Sequence, residues 1–96
     1  MRDLSQLLPM LLEIFTEEAE EHHGICGFVF KLYREGSIYY NESEVMLLFI
    51  QTHKPTTHSP FFNHPNYRGE LWWWDGKTGS KEQRILFINH LIENLP

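Results

Sequence analysis

Trp72, Trp73 and Trp74 stand side by side in a chain of 96 residues, and three adjacent large rings cannot share one environment. On a strand the first and third point one way and the second the other; on a helix they fan out by about 100° each. Each ring carries on the order of 150–250 Å² that prefers to leave water. A chain of this length forms one core of limited volume. One of the three rings is therefore expected at the surface, as a candidate contact. Around them, Arg68 to Arg84 adds a glycine-rich turn and the start of a helix, which makes this stretch the organising centre of the sequence.

The segments on either side repeat with helical period. Leu4, Leu7, Leu8, Leu11, Leu12 and Phe15 recur at three- and four-residue spacing, the signature of one helix face. Asp3 or Ser5 is the expected cap, and Pro9 is tolerated near the start but kinks a helix deeper in. Glu17, Glu18, Glu20 and Glu21 place negative charge where the helix dipole is already negative, with His22 and His23 in partial compensation and Gly24 as the expected C-cap. The acidic run reads as a solvated face or as a docking surface. A second short helix is expected over 25–35, with Cys26, Val29, Phe30 and Tyr33 on one face and Gly27 allowing a close approach. Gly36 ends it, and Ile38 in the connector is expected to turn inward.

Asn41-Glu42-Ser43-Glu44 matches a capping box with Asn41 as cap and Glu44 three residues on. The helix that follows sets Val45, Leu48, Phe49 and His53 on one face with Met46 and Ile50 adjoining, and is expected to be the most buried of the set. Ser80-Lys81-Glu82-Gln83 is a second capping box, opening a helix with Arg84, Ile85, Ile88, Leu91, Ile92 and Leu95 in 3.6 periodicity. The expected fold is all-α. It has about four helices, near 4–22, 25–35, 42–53 and 81–94, in a single domain over 1–96.

Between the last two helices lies a long loop, over 54–80, in which Pro55, Pro60 and Pro65 are interleaved with Phe61, Phe62 and Tyr67. Structureless loops of this length are uncommon in compact domains, so it is expected to fold back and pack on its aromatics. His53, His58 and His64 match none of the compact zinc spacings, and a lone Cys26 cannot complete a site; no metal or cofactor is expected. Cys26 lacks a local His partner and sits among Ile, Phe and Val, which suits a small buried hydrophobe better than a nucleophile. No pair of acid–base groups stands at catalytic spacing on one element, so the chain reads as non-enzymatic.

A formal charge of −5 argues against direct nucleic-acid binding by phosphate neutralisation. One cysteine excludes an intrachain disulfide and fits a reducing compartment. No apolar run approaches the roughly 18 residues of a membrane span, and no signal peptide is visible. The expectation is a cytoplasmic protein without membrane contact.

Aromatics, cations and a helix start converge in 61–84, and the candidate binding residues are Phe61, Tyr67, Trp72, Trp73, Trp74, Lys77 and Arg84. Aromatic faces stack on planar bases, and a Lys or Arg meets a phosphate. Gly76 to Ser80 looks like an anion nest at a helix N-terminus but lacks the full phosphate-loop motif. Arg84 has two readings. It pins the tryptophan segment to the last helix, with Asp75, an acid of the first helix or a Trp face as partner, or it presents a charge to an anionic ligand. An exposed cluster of rings also gives reason to bury them against a second copy, so a homo-oligomer is expected.

One pattern runs through residues 24–92. Gly24-Ile25-Cys26-Gly27 opens a helix, Gly36-Ser37-Ile38 precedes a Glu-initiated one, and Trp72-Trp73-Trp74 precedes Arg84-Ile85-Leu86-Phe87-Ile88. This resembles a group of small tailed-phage proteins with a Gly-Leu-Cys segment, a Tyr-Trp-Trp segment and an Arg before an apolar helix. Ile25 stands here for Leu and Trp72 for Tyr. The resemblance implies a phage-type accessory protein acting in the host cytosol against host defence, and transfers no chemistry. With the residues above, it gives the leading expectation of a protein that sequesters a small nucleotide-like ligand. The alternatives are an inhibitor that binds a host protein through its acidic helix or an exposed Trp, and a small enzyme.

Overall fold

The computed structural model describes residues 2–53 and 80–96, and among these the fold is all-α: four helices and no strand. They are α1 (Leu4–Glu18), α2 (Ile25–Arg34), α3 (Tyr40–Thr52) and α4 (Lys81–Glu93). α1 packs against α4 and α3, and α2 packs against α3. The packed loop expected over 54–80 lies outside the described residues except for Ser80.

The leucine repeat makes α1 the spine. Leu7, Leu8, Leu11 and Phe15 are fully buried, and each such side chain contributes about 1.5–3 kcal/mol on leaving water. Asp3 caps the helix, accepting from the Gln6 N–H while the Gln6 side chain accepts from the Asp3 N–H. Pro9 is the sixth residue of α1 and lies on its exposed side, so the helix carries it through to Glu18.

The expected end at residue 22 is wrong. Ala19 is extended (φ −71°, ψ 144°), and Glu20 to His23 form a turn closed by the His23 N–H on the Glu20 carbonyl at 3.0 Å. No basic residue occupies the last turn of α1, so continuing the helix would have stacked four glutamates on its negative pole. Gly24 is accordingly not a C-cap. It is the extended residue that leads into α2.

The buried face of α2 is Ile25, Cys26, Phe28, Val29 and Leu32: Cys26 and Val29 face inward as expected, whereas Phe30 and Tyr33 are exposed. Phe28 decides the rotation by meeting Phe15 edge to face at 5.1 Å. A methyl added at Gly27 would meet nothing within 4 Å among the described residues. Gly36 (φ +80°) ends α2 as expected. The Ser37 N–H reaches the Leu32 carbonyl at 2.9 Å and the Gly36 N–H the Tyr33 carbonyl at 3.1 Å, a Schellman closure. Ile38 is buried.

α3 starts two residues before the expected 42, and Asn41 is not its cap. Tyr39 holds that position, and its N–H donates to Glu42 Oε1 at 2.8 Å. The helix is also not the most buried. Leu48 is 69 % exposed, while Glu42, Ser43, Met46 and Ile50 face inward. Glu42 explains the shift, because Arg2 draws it into the fold. The Arg2 backbone N–H and Nε reach Oε2 at 3.0 and 2.9 Å, and Nη2 reaches Oε1 at 3.1 Å. Nη2 also donates to the Ser37 carbonyl at 3.0 Å. A buried carboxylate is tolerable only when its lone pairs are filled, and here four donors fill them. The Arg2 contact, then the Tyr39 N–H, hold the Glu42 pKa down to about 2 despite burial.

α4 follows the expected boundaries to within a residue. Ser80 accepts from the Gln83 N–H and the Gln83 side chain from the Ser80 N–H, while Phe87, Ile88 and Leu91 enter the same core as α1.

Candidate functional site

Of the seven residues expected to bind a ligand, Phe61, Tyr67, Trp72, Trp73, Trp74 and Lys77 lie outside the described residues, as do the Gly76–Gly79 part of the nest and Asp75. Arg84 is described, in the first turn of α4. It is fully buried. Its Nη1 donates to the Glu21 carbonyl at 2.7 Å, one of its contacts. Of the partners considered from sequence, Asp75 and the tryptophans lie outside the described residues, and the acid described in contact is Glu21. That residue contributes its backbone oxygen, however, and it stands in the turn after α1.

Glu21 has a second role there. Its Oε2 accepts from the Lys81 N–H at 3.0 Å. Lys81 is the first residue of α4, so this N–H has no partner within the helix. A carboxylate at that pole also interacts favourably with the dipole. The acidic residue that was unfavourable at the end of α1 is thus favourable at the start of α4. Together, the Glu21 carboxylate and the reciprocal Ser80–Gln83 pair take the N–H groups of Ser80, Lys81 and Gln83.

The turn that presents Glu21 is closed by His23. Its Nδ1 accepts from the Glu20 N–H at 2.9 Å, and its ring lies 4.4 Å from that of His22 and 5.6 Å from that of Phe28. An acceptor Nδ1 places the proton on Nε2 in the neutral ring. His22 faces Glu20 at 3.4 Å on the exposed side. The Glu20–His23 turn therefore joins the end of α1, the start of α2 and the N-terminus of α4.

The other edge of the aromatic segment leaves α3 at His53, whose Nδ1 lies 2.9 Å from the Phe49 carbonyl and whose ring stacks on Phe49 at 4.1 Å. His58 and His64 lie outside the described residues, among which no cluster of three metal-ligating side chains occurs. Cys26 is buried, and burial pushes its thiol up to about 12. At neutral pH it is a thiol within the core, where the thiolate needed for attack does not form.

Two features of the described surface escape a reading of the sequence. The Arg2–Glu42 pair links residues 40 apart and has no local signal. Tyr33 and Tyr40 meet edge to face at 5.7 Å and, with Tyr39, make an exposed aromatic patch across α2 and α3. The Tyr40 hydroxyl is held by Glu44, which raises its pKa. Glu13, Glu17, Glu18 and Glu20 are exposed around the end of α1. Among the described residues no helix is long and apolar enough to cross a membrane. No family model, curated protein or solved structure matches the chain.

Proposed function

We propose that the chain is a non-enzymatic binding protein that sequesters a small, planar, anionic ligand of nucleotide type, in the manner of a phage accessory protein that counters host defence. The observation that carries this reading is the anchoring of the residues that flank the aromatic segment. Phe61, Tyr67 and Trp72 to Trp74 lie in a stretch bounded by His53, fixed on Phe49, and by Ser80, fixed in the capping box of α4. Binding residues carried between rigid elements are the common arrangement for recognition. Stacking on such rings is worth about 1–3 kcal/mol per base in single-strand binders.

In this reading Arg84, which is fully buried, is not counted among the groups that meet the ligand. It holds the scaffold through Glu21, and Lys77 is left as the cation for a phosphate. At the start of α4 the Glu21 carboxylate already takes the Lys81 N–H. Titration calorimetry of the whole chain against mono- and cyclic nucleotides tests the proposal: heat with at least one member, lost in Trp73→Ala, is the expected result. No heat with any member, at protein well above micromolar, overturns it.

A second reading has its own support. Glu13, Glu17 and Glu18 project from α1 with no basic residue in its last turn, a surface suited to a basic face of a host protein with salt-sensitive association. Its test is the triple reversal of these three to Lys, which abolishes inhibition of a host effector under this reading and spares nucleotide binding. Glu21 is left out because its reversal would undo the start of α4.

A further inference from the structure

The Glu20–His23 turn contains a titratable group at the one position that shapes it. His23 donates its backbone N–H to the Glu20 carbonyl at 3.0 Å and accepts the Glu20 N–H on Nδ1 at 2.9 Å. The second bond exists only while Nδ1 carries a lone pair. With a proton there, two N–H groups face one another and the ring must leave. Between these residues the turn carries Glu21, whose two oxygen contacts hold Arg84 and the Lys81 N–H.

We propose that this turn is a proton-released latch on α4: protonation of His23 opens the turn, withdraws Glu21, and frees the N-terminal end of α4. Among the described residues, charges act on His23 from the turn, α2 and α4. Glu20 in the turn favours the proton, whereas His22 beside it, Lys31 of α2 and Arg84 of α4 oppose it, and the Phe28 ring covers one face. Partial burial and His22 lead in holding the His23 pKa below its ordinary 6.5. The sign follows from that direction. The unfolded chain takes the proton first, so the turn contributes fully above pH 6.5 and its contribution is lost as pH falls through the folded value. The latch does not depend on what the aromatic segment binds.

Amide hydrogen exchange on the intact chain, corrected for intrinsic rates, reads it directly. Between pH 7.5 and 5.0, protection at Lys81 and Arg84 is expected to fall roughly three- to tenfold relative to Val29 and Leu32 of α2, the worth of one hydrogen bond. In His23→Asn the Oδ1 replaces Nδ1 as a non-titrating acceptor, and the ratio is expected to stay constant. A constant ratio in the wild-type chain, or an unchanged fall in His23→Asn, overturns the proposal. Should His23→Asn not fold, the ring nitrogen shifts of the wild-type chain decide: Nδ1 protonated at pH 7.5 overturns the latch, and Nδ1 unprotonated there but protonated at pH 5.0, as protection at Lys81 falls, supports it.

Discussion

Replacing Arg84 separates a structural arginine from a ligand-facing one. Arg84→Ala removes a charge-assisted bond to the Glu21 carbonyl, worth about 1.5–3 kcal/mol. It also removes two packed methylenes, at about 0.8 kcal/mol each. Against this, the mutation relieves a cation near the positive pole of α4, a gain of roughly 0.3–1 kcal/mol. The net loss is about 3 kcal/mol, a large share of the roughly 5–15 kcal/mol that holds a domain of this size.

At about 4–8 °C per kcal/mol, the melting temperature of Arg84→Ala is expected to fall by roughly 12–24 °C. Arg84→Met fills most of the volume without burying a charge, so its loss is expected to be smaller, about 1–2 kcal/mol. Thermal melts followed by circular dichroism at neutral pH measure both. If Arg84→Ala melts within about 4 °C of the wild type, less than about 1 kcal/mol, the tie through Glu21 is not structural and the argument fails. An order in which Met is worse than Ala refutes it equally, because the cavity would then contribute nothing.

Glu42 is held near pKa 2 against an ordinary 4.5, so its contribution is complete above pH 4.5 and is lost as pH falls towards 2. Urea unfolding at pH 6, 4, 3 and 2 is expected to show wild type and Glu42→Gln converging as pH drops, and a constant gap would refute the Arg2–Glu42 assignment. The Phe15–Phe28 contact predicts a coupling of about 0.5–1.5 kcal/mol in a double-mutant cycle with Leu; additive losses would mean that the edge-to-face geometry adds nothing beyond burial. Exposed Phe30, Tyr33, Tyr39, Tyr40 and Leu48, added to the aromatic sequence of 61–74, predict a closed homo-oligomer. Light scattering that returns a mass near 11.5 kDa at tens of micromolar rules it out.

The helices were legible because their evidence is local. The leucine repeat of α1, the Ser80–Gln83 box and the Gly36 closure each depend on neighbours within about one turn, and each appears as expected. Errors arose where a distant residue outweighed a local preference. Asn41-Glu42-Ser43-Glu44 is a sound capping box, yet Glu42 is bound by Arg2 from 40 residues away. A carboxylate with four donors outweighs an Asn cap worth about 1 kcal/mol, and α3 starts at Tyr40 instead. The same rotation carries Leu48 out to solvent. In α2 the apolar pattern fits two faces, and Phe28 meeting Phe15 selects between them.

Glu21 shows most clearly what a linear reading cannot weigh. Four glutamates after Phe15 look like a poor end for a helix, and the sequence offers two ways out: histidines that offset the charge, or a solvated acidic face. The chain takes a third. It stops the helix at Glu18, turns through Glu20 to His23, and delivers the Glu21 carboxylate to the start of α4, which needs an acceptor there. The Glu21 carbonyl then meets Arg84, the cation that looked misplaced near the start of α4. Two local liabilities, an acid at a C-terminus and an arginine near an N-terminus, become one favourable contact only once the helices are packed. Glu21→Gln keeps an acceptor for the Lys81 N–H and the carbonyl for Arg84, so it loses only the charge at the helix pole, about 0.3–1 kcal/mol. Glu21→Pro has no side-chain acceptor and constrains the turn, so it is expected to weaken both contacts and to cost several times as much in the same melts.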